Sequence, residues 1–136
     1  MRFVDTNVLL YSISTQPSEA SKAAKARAEL SSRDLVLSVQ VLQEFYVQST
    51  RKSKPDPLTH DEALAFIHSW RRFPTQVVTL AVLDDALAIK DRYQISYWDS
   101  AIIAAARAGK CTEVLSEDLS DGQDYAGVKV VNPFRS

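Results

Sequence analysis

The chain has 136 residues, of which 46% are hydrophobic and 24% are charged, and its formal net charge is -1. This length predicts a single domain over residues 1–136 with a sizeable core, and the composition excludes a largely disordered chain. A net charge near zero does not indicate a nucleic-acid partner, so any basic surface has to be local.

The polar residues near the N-terminus and the single cysteine limit the class of protein further. Cys111 excludes an internal disulfide, and one cysteine with two histidines cannot build a Cys-rich zinc site. Asp5 and Asn7 interrupt the first apolar run, which argues against a signal peptide, and no apolar segment is long enough to span a membrane. We therefore expect a cytoplasmic protein without membrane association.

Short apolar runs alternate with helical patterns along the chain. This alternation favours a parallel sheet with right-handed crossovers, and we predict a three-layer α/β/α sandwich whose parallel strands are short. The pattern predicts strands over 3–4, 35–37, 76–78, 113–115 and 128–131, and helices over 8–13, 18–30, 39–52, 59–72, 80–93 and up to 108.

Four acids lie where packing does not require a charge. Asp5 follows the first strand, and Glu44 lies on the helix after the second. Asp99 begins the nearly all-apolar helix that ends at 108, which we expect to be central and buried, and Asp118 lies just beyond the strand over 113–115. The carboxyl ends of parallel strands meet at one edge of a sheet, so we expect the four carboxylates to converge there.

Such a cluster of carboxylates favours a bound cation. Like charges ~4 Å apart repel by roughly 4 kcal/mol per pair at an effective dielectric constant of about 20. A divalent cation relieves this repulsion, and all-oxygen ligands select Mg²⁺ or Mn²⁺ rather than zinc. Because such an ion lowers the pKa of a bound water and stabilises the leaving oxygen of a phosphodiester, the acids indicate a metal-dependent nuclease.

The acids differ in their expected roles. Asp5 and Asp99 are the first candidates for metal ligands, and Asp118 contributes directly or through water. Glu44 is the candidate for positioning the attacking water. Neighbouring polar residues are candidates for hydrogen bonds to these acids or to a substrate phosphate: Thr6, Asn7 and Ser116.

Four short segments resemble, in order and spacing, the acidic motifs of PIN-domain ribonucleases. They are Val-Asp-Thr-Asn at 4–7, Gln-Glu-Phe at 43–45, Tyr-Trp-Asp-Ser-Ala at 97–101 and Leu-Ser-Glu-Asp-Leu at 115–119. The whole chain resembles the VapC-like toxins of bacterial type II toxin-antitoxin modules. The resemblance implies a PIN-like fold and a Mg²⁺-dependent endoribonuclease that hydrolyses RNA phosphodiesters. It also implies a homodimer, held inactive by a small cognate antitoxin in the active-site groove.

Each candidate residue also has a simpler interpretation. Asp5 and Asp99 taken alone are helix N-caps. Glu44 alone is a solvated surface side chain, and Asp118 alone is a turn acid. The four motifs together favour function for these acids, whereas Asp121 is either an outer ligand or a turn residue, and the turn is favoured.

Two further groups of residues have open roles. Tyr97 and Trp98 favour packing in the core or a dimer over stacking on bases. Five basic residues form either a rim for RNA phosphates or scattered solvated charge: Arg51, Lys52, Lys54, Arg71 and Arg72.

Two other functional classes compete with the nuclease. One is a catalytically silent PIN-like module that binds protein, and the complete set of acids argues against it. The other is a phosphoacceptor or phosphatase domain with an Asp nucleophile. That class needs either a second acid beside Asp5 or a receiving Asp after the central strand, and neither Asn7 nor Val78-Thr79 supplies one.

Overall fold

The computed structural model describes residues 1–135 and places six strands in one sheet. Their order across the sheet is β3-β2-β1-β4-β6-β5, and every neighbouring pair is parallel except β5 with β6. The predicted parallel sheet is confirmed, and β5 adds an antiparallel edge strand that the sequence pattern did not indicate. The strands are β1 (Arg2–Val4), β2 (Leu35–Ser38), β3 (Thr75–Gln76), β4 (Glu113–Leu115), β5 (Asp124–Tyr125) and β6 (Val128–Val131).

Within residues 1–135, six α-helices complete the three-layer α/β/α sandwich that the sequence predicts. The longest has 14 residues, and no helix in this part of the chain combines the length and apolar character needed to cross a membrane. The helices are α1 (Thr6–Ser12), α2 (Ala20–Leu30), α3 (Val39–Ser49), α4 (His60–Trp70), α5 (Leu80–Tyr93) and α6 (Tyr97–Ala108).

Side-chain caps set where most helices begin. The Asp5 carboxylate accepts a hydrogen bond from the Thr6 amide at the start of α1. Ser38 and Ser96 accept from backbone amides in the first turns of α3 and α6. Thr59 and Glu62 form a capping box at α4. Asp5 directly follows β1 and Ser38 is the last residue of β2, so these two caps fix the points where α1 and α3 leave the carboxyl edge of the sheet.

The core lies between the central strands and the helices. Phe3 and Val4 of β1 are fully buried, as are Leu35 and Leu37 of β2. In α6, seven of the 12 residues are buried, including Ile103 with 0% of its surface exposed. The prediction that α6 is the central, buried helix is confirmed.

The third strand is shorter than the sequence pattern predicts. β3 ends at Gln76, and Val77 and Val78 are 61% and 60% exposed. β3 lies at the edge of the sheet and pairs only with β2, whose last residue, Ser38, pairs with Gln76. No partner backbone remains for the two valines, because the chain of β2 turns into α3 at Val39.

We predict that Ile103→Ala lowers the free energy of unfolding by about 2–5 kcal/mol, because the surrounding core closes only partly around a deleted buried side chain. Urea unfolding of the purified variant measures this loss. Val47→Ala is the control, since Val47 is 56% exposed on α3 and should change stability by no more than about 0.5 kcal/mol. Equal losses in the two variants would contradict the central position of α6.

Candidate active site

Asp5 is the buried acid of the site. Its Oδ1 accepts a hydrogen bond of 2.7 Å from the Thr6 amide, and its Oδ2 accepts one of 2.7 Å from the Ser116 hydroxyl. Only 5% of the residue is exposed. Asp5 directly follows β1 and Ser116 directly follows β4, so the pairing of these two parallel strands brings the carboxylate and the hydroxyl together.

Glu44 reaches the same point from α3. Its Oε2 accepts a hydrogen bond of 2.7 Å from the Thr6 hydroxyl, and its Oε1 accepts one of 2.7 Å from the Gln40 side-chain amide. Gln40 lies one helical turn before Glu44 and is itself buried. Both carboxylate oxygens of Glu44 are therefore held in place, which a freely solvated surface glutamate would not show.

Asp118 lies in the loop after β4 and is held by two neighbours of Asp5. Asn7 donates a hydrogen bond of 3.1 Å from its side-chain amide to Asp118 Oδ2, and the Asp118 amide donates one of 3.1 Å to the Ser116 hydroxyl. The Asn7 side-chain oxygen also accepts from the Glu117 amide at 3.3 Å. Asn7 therefore contacts both the backbone and the carboxylate of this loop.

Asp99 lies in the first turn of α6. Its amide donates a hydrogen bond of 3.1 Å to the Ser96 hydroxyl, which caps the helix. The predicted capping role therefore belongs to Ser96 rather than to Asp99. The helix N-terminus is a favourable place for the Asp99 carboxylate, because the helix dipole stabilises negative charge there.

The four acids surround one pocket. Of the seven residues proposed from the sequence, six line it directly. The seventh, Ser116, does not line the pocket but donates a hydrogen bond to the Asp5 carboxylate. Four other side chains share the lining, and none of the described lining residues is a lysine or arginine. The lining consists of Asp5, Thr6, Asn7, Leu10, Glu44, Gln48, Trp98, Asp99, Ile102 and Asp118.

The charges of the acids influence one another. Burial raises the pKa of Asp5 to about 6, with a further upward contribution from the charges of Asp118 and Glu44, against the hydrogen bonds from Ser116 and Thr6. Burial also raises the pKa of Asp99, and the same two charges add to this effect. A positive charge in the pocket would relieve this repulsion.

The donor chemistry of the pocket fits a hard divalent cation. All of its ionisable donors are carboxylates, which suit Mg²⁺ and Mn²⁺. Across residues 1–135, no set of three or more His, Cys, Asp or Glu side chains is arranged to hold a metal ion by itself. Mg²⁺ commonly keeps several waters and binds through one or two carboxylates and substrate phosphates. The pocket therefore fits a partly hydrated cation rather than one enclosed by protein ligands.

Some residues were missed or misread in the sequence. Gln40, which holds Glu44, was missed although its spacing on the helix is a usable signal. Trp98 is 64% exposed and lines the pocket, so packing in the core is wrong for it, and packing in a dimer stays a prediction. Asp121 accepts hydrogen bonds from the Asn132 amide and the Arg135 guanidinium, so in this structure it holds the C-terminal turn.

The fold and site together define a class of protein: an α/β/α sandwich with an acidic pocket at the carboxyl edge of its parallel sheet. The family model described as "PIN domain" matches residues 2–120, a span that contains all four acids. The chain therefore belongs to the PIN domain family. None of the curated protein sequences compared with the chain gives a significant match.

The fold is similar to several solved structures. A toxin-antitoxin complex from Klebsiella pneumoniae contains a chain with 18% identity and a TM-score of 0.73, covering 98% of each chain. VapC20 from Mycobacterium tuberculosis, described as a sarcin-ricin loop cleaving toxin, has 19% identity and a TM-score of 0.68 over 87% of this chain and 92% of its own. DNA-bound VapBC from Salmonella typhimurium has 16% identity and a TM-score of 0.66, covering 95% of each chain. At these identities the likeness concerns the fold.

We predict that Asp5→Asn becomes more stable relative to the wild type as the pH rises in metal-free buffer. The folded protein binds a proton at Asp5 more tightly than the unfolded chain, because the pKa is about 6 in the fold and ordinarily 3.8. The wild type therefore loses stability as the pH rises through this interval, by about 3 kcal/mol. Urea unfolding from about pH 4 to about pH 7 should show the difference growing by about 2–3 kcal/mol.

The control for this measurement is Asp84→Asn, an exposed acid on α5. This variant removes a carboxylate outside the pocket and is measured over the same pH range. A difference for Asp5→Asn that stays constant or decreases with pH would contradict a buried, ionisable carboxyl group at the end of β1.

Proposed function

We propose that the protein is a Mg²⁺-dependent endoribonuclease that serves as the toxin of a type II toxin-antitoxin module. One observation carries the proposal: carboxylates from four separate segments surround one pocket, and no lysine or arginine is among its described lining residues. Mn²⁺ is the alternative cation, since it accepts the same oxygen ligands. A cytoplasmic location belongs to the same proposal.

Three of the acids would hold the cation: Asp5, Asp99 and Asp118. A bound cation would neutralise negative charge on a substrate phosphate and lower the pKa of a coordinated water. Ser116 keeps Asp5 ionised and oriented by donating to its Oδ2. Asn7 orients Asp118 in the same way.

Glu44 is the group that orients the attacking water. Thr6 and Gln40 each donate to a different oxygen of its carboxylate, and each oxygen keeps a second lone pair for a further hydrogen bond. A water held there is aligned for attack on phosphorus, while the bond to the leaving oxygen breaks on the opposite side. Fixing both oxygens of Glu44 lowers the entropy cost of this alignment.

Two of the similar structures support the choice of substrate and partner. VapC20 is described as cleaving the sarcin-ricin loop, and the structure from Klebsiella pneumoniae is a toxin-antitoxin complex. For this chain we propose RNA as the substrate and a cognate antitoxin as the protein partner. The uncompensated negative charge of the pocket suits a basic side chain contributed by such a partner.

An exposed apolar surface beside the pocket supports a homodimer. This β3 surface consists of Val77, Val78, Leu80 and Trp98, which are 61%, 60%, 79% and 64% exposed. Val77, Val78 and Trp98 line one groove together, and Leu80 begins α5 two residues after Val78. Exposed apolar side chains grouped in this way mark protein-protein contacts. Trp98 also lines the acidic pocket, so a second copy on this surface would bring two pockets close together. We therefore place the dimer interface at the β3 surface.

We predict that the purified protein, free of any partner, cleaves RNA with Mg²⁺ or Mn²⁺ and not with EDTA. Asp5→Asn, Asp99→Asn and Glu44→Gln should each lower the cleavage rate at least about 100-fold, because each removes a group that stabilises or aligns the transition state. Gel analysis of a total-RNA pool and of single purified RNAs measures the products.

Asp84→Asn is the matched control for cleavage, because it removes an exposed carboxylate outside the pocket and should leave the rate unchanged. Full activity in folded Asp5→Asn would refute the assignment. A folded wild type that neither cleaves RNA nor melts at a higher temperature with Mg²⁺ would instead favour the catalytically silent PIN-like binding module.

We also predict that the wild type is a dimer and that Leu80→Glu is a monomer, because a charge placed in an apolar interface cannot be solvated. Leu64→Glu is the control, since Leu64 is an exposed leucine on α4, outside the β3 surface. Light scattering after gel filtration measures the mass of each. A monomeric wild type, or dissociation of both variants alike, would contradict the proposed interface.

A further inference from the structure

Glu117, the residue before Asp118, does not line the acidic pocket. Its carboxylate accepts a hydrogen bond of 2.7 Å from the Tyr11 hydroxyl and a second from the Lys22 ammonium. Lys22 also donates to the Tyr11 hydroxyl at 3.2 Å. These three side chains, here called the Glu117 network, form a closed triangle of hydrogen bonds between α1, α2 and the loop after β4.

The network is supported by aromatic packing. The Lys22 ammonium lies 4.8 Å from the centre of the Tyr11 ring and 5.8 Å from that of Phe134. The two rings meet edge to face at 4.8 Å. The ammonium is therefore placed by cation–π contacts on two sides as well as by its hydrogen bonds, and it connects the loop after β4 to two helices and the C-terminal segment.

Asp118 is the acid that most needs such support. It is the most exposed of the four acids, and it lies on a loop outside any helix or strand. Asn7 and Ser116 hold it from the side of Asp5, whereas the Glu117 side chain holds the same loop from α1 and α2. With both sides held, Asp118 has a defined position relative to Asp5.

We propose that Tyr11, Lys22 and Glu117 are positioning residues that fix Asp118 for cation binding, an inference that rests on the proposed metal-dependent function. They act through the loop backbone and do not contact substrate or ion. Loss of the network lets the loop move, so Asp118 spends less time where it can share a cation with Asp5 and Asp99. Groups that orient metal ligands in this way commonly change metal affinity 10–100-fold.

The sign of the effect separates positioning from simple electrostatics. Removing the Lys22 ammonium deletes a positive charge near the pocket, so a purely electrostatic role predicts tighter cation binding. Positioning predicts weaker binding. Tyr11→Phe changes no charge at all and should also weaken binding if the network positions the loop.

The first measurement uses the metal-free protein, so it does not depend on catalysis. Backbone amide order parameters from NMR relaxation are compared at residues 117 and 118 in the wild type, Tyr11→Phe and Lys22→Met. We expect values near about 0.85 in the wild type and below about 0.6 in both variants. Unchanged order parameters in the two variants would overturn the proposal.

The second measurement is titration of the free protein with Mn²⁺ by calorimetry. Lys22→Met and Tyr11→Phe should bind about 10–100-fold more weakly than the wild type, and Lys22→Arg should recover most of the loss. Lys25→Met is the matched control, because Lys25 lies on the same helix and donates to the Phe134 carbonyl instead of to Glu117. Its affinity should equal that of the wild type, and a loss as large as in Lys22→Met would overturn the proposal.

Cleavage assays distinguish the two possible failures. If the wild type binds no Mn²⁺ and cleaves no RNA, the proposed function fails, and the order parameters alone decide whether the network holds the loop. If the wild type binds and cleaves, and Lys22→Met and Tyr11→Phe match it in both, the network proposal alone fails. We expect Lys22→Met and Tyr11→Phe to show a lower kcat at saturating RNA and an unchanged KM for RNA. Added Mn²⁺ should restore the kcat of both variants.

Discussion

The buried carboxylate of Asp5 is the constraint on which the rest of the site depends. A charge with 5% exposure is costly unless donors surround it, and here the donors come from the start of α1 and the end of β4. Satisfying this one group joins three elements at the carboxyl edge of the sheet. The pairing of β1 with β4 holds that geometry, so the position of the acid is as rigid as the sheet itself.

Two of the other three acids on the pocket, Glu44 and Asp118, are held by polar residues that directly follow Asp5 in the chain. Thr6 follows Asp5 and holds Glu44, and Asn7 follows Thr6 and holds Asp118. One short segment after β1 thus places acids that lie 38 and 111 residues further along the chain. Because these partners are consecutive, a shift of β1 in the sheet would disturb the contacts to Glu44, Asp118 and Ser116 at the same time.

The supports of the pocket are unequal. Asp5 and Glu44 are held by a strand end and a helix, whereas Asp118 depends on a loop that side chains connect to α1 and α2. Trp98 belongs both to the lining of the pocket and to the β3 surface. A partner bound at that surface would therefore contact the pocket directly through Trp98. The same side chain would then affect both assembly and access to the acids.

Local signals in the sequence determined the alternation of strands and helices, most helix starts and the burial of α6, because periodicity and capping act between near neighbours. The four acids could also be chosen from the sequence, since each lies where packing does not require a charge. Only the tertiary structure decided that β3 stops at Gln76, that Trp98 is exposed and that the Glu117 carboxylate pairs with Lys22. These features depend on which distant segments meet. A single hydrogen bond contributes only about 1 kcal/mol, so no local pattern encodes it, and packing of the whole sheet selects it.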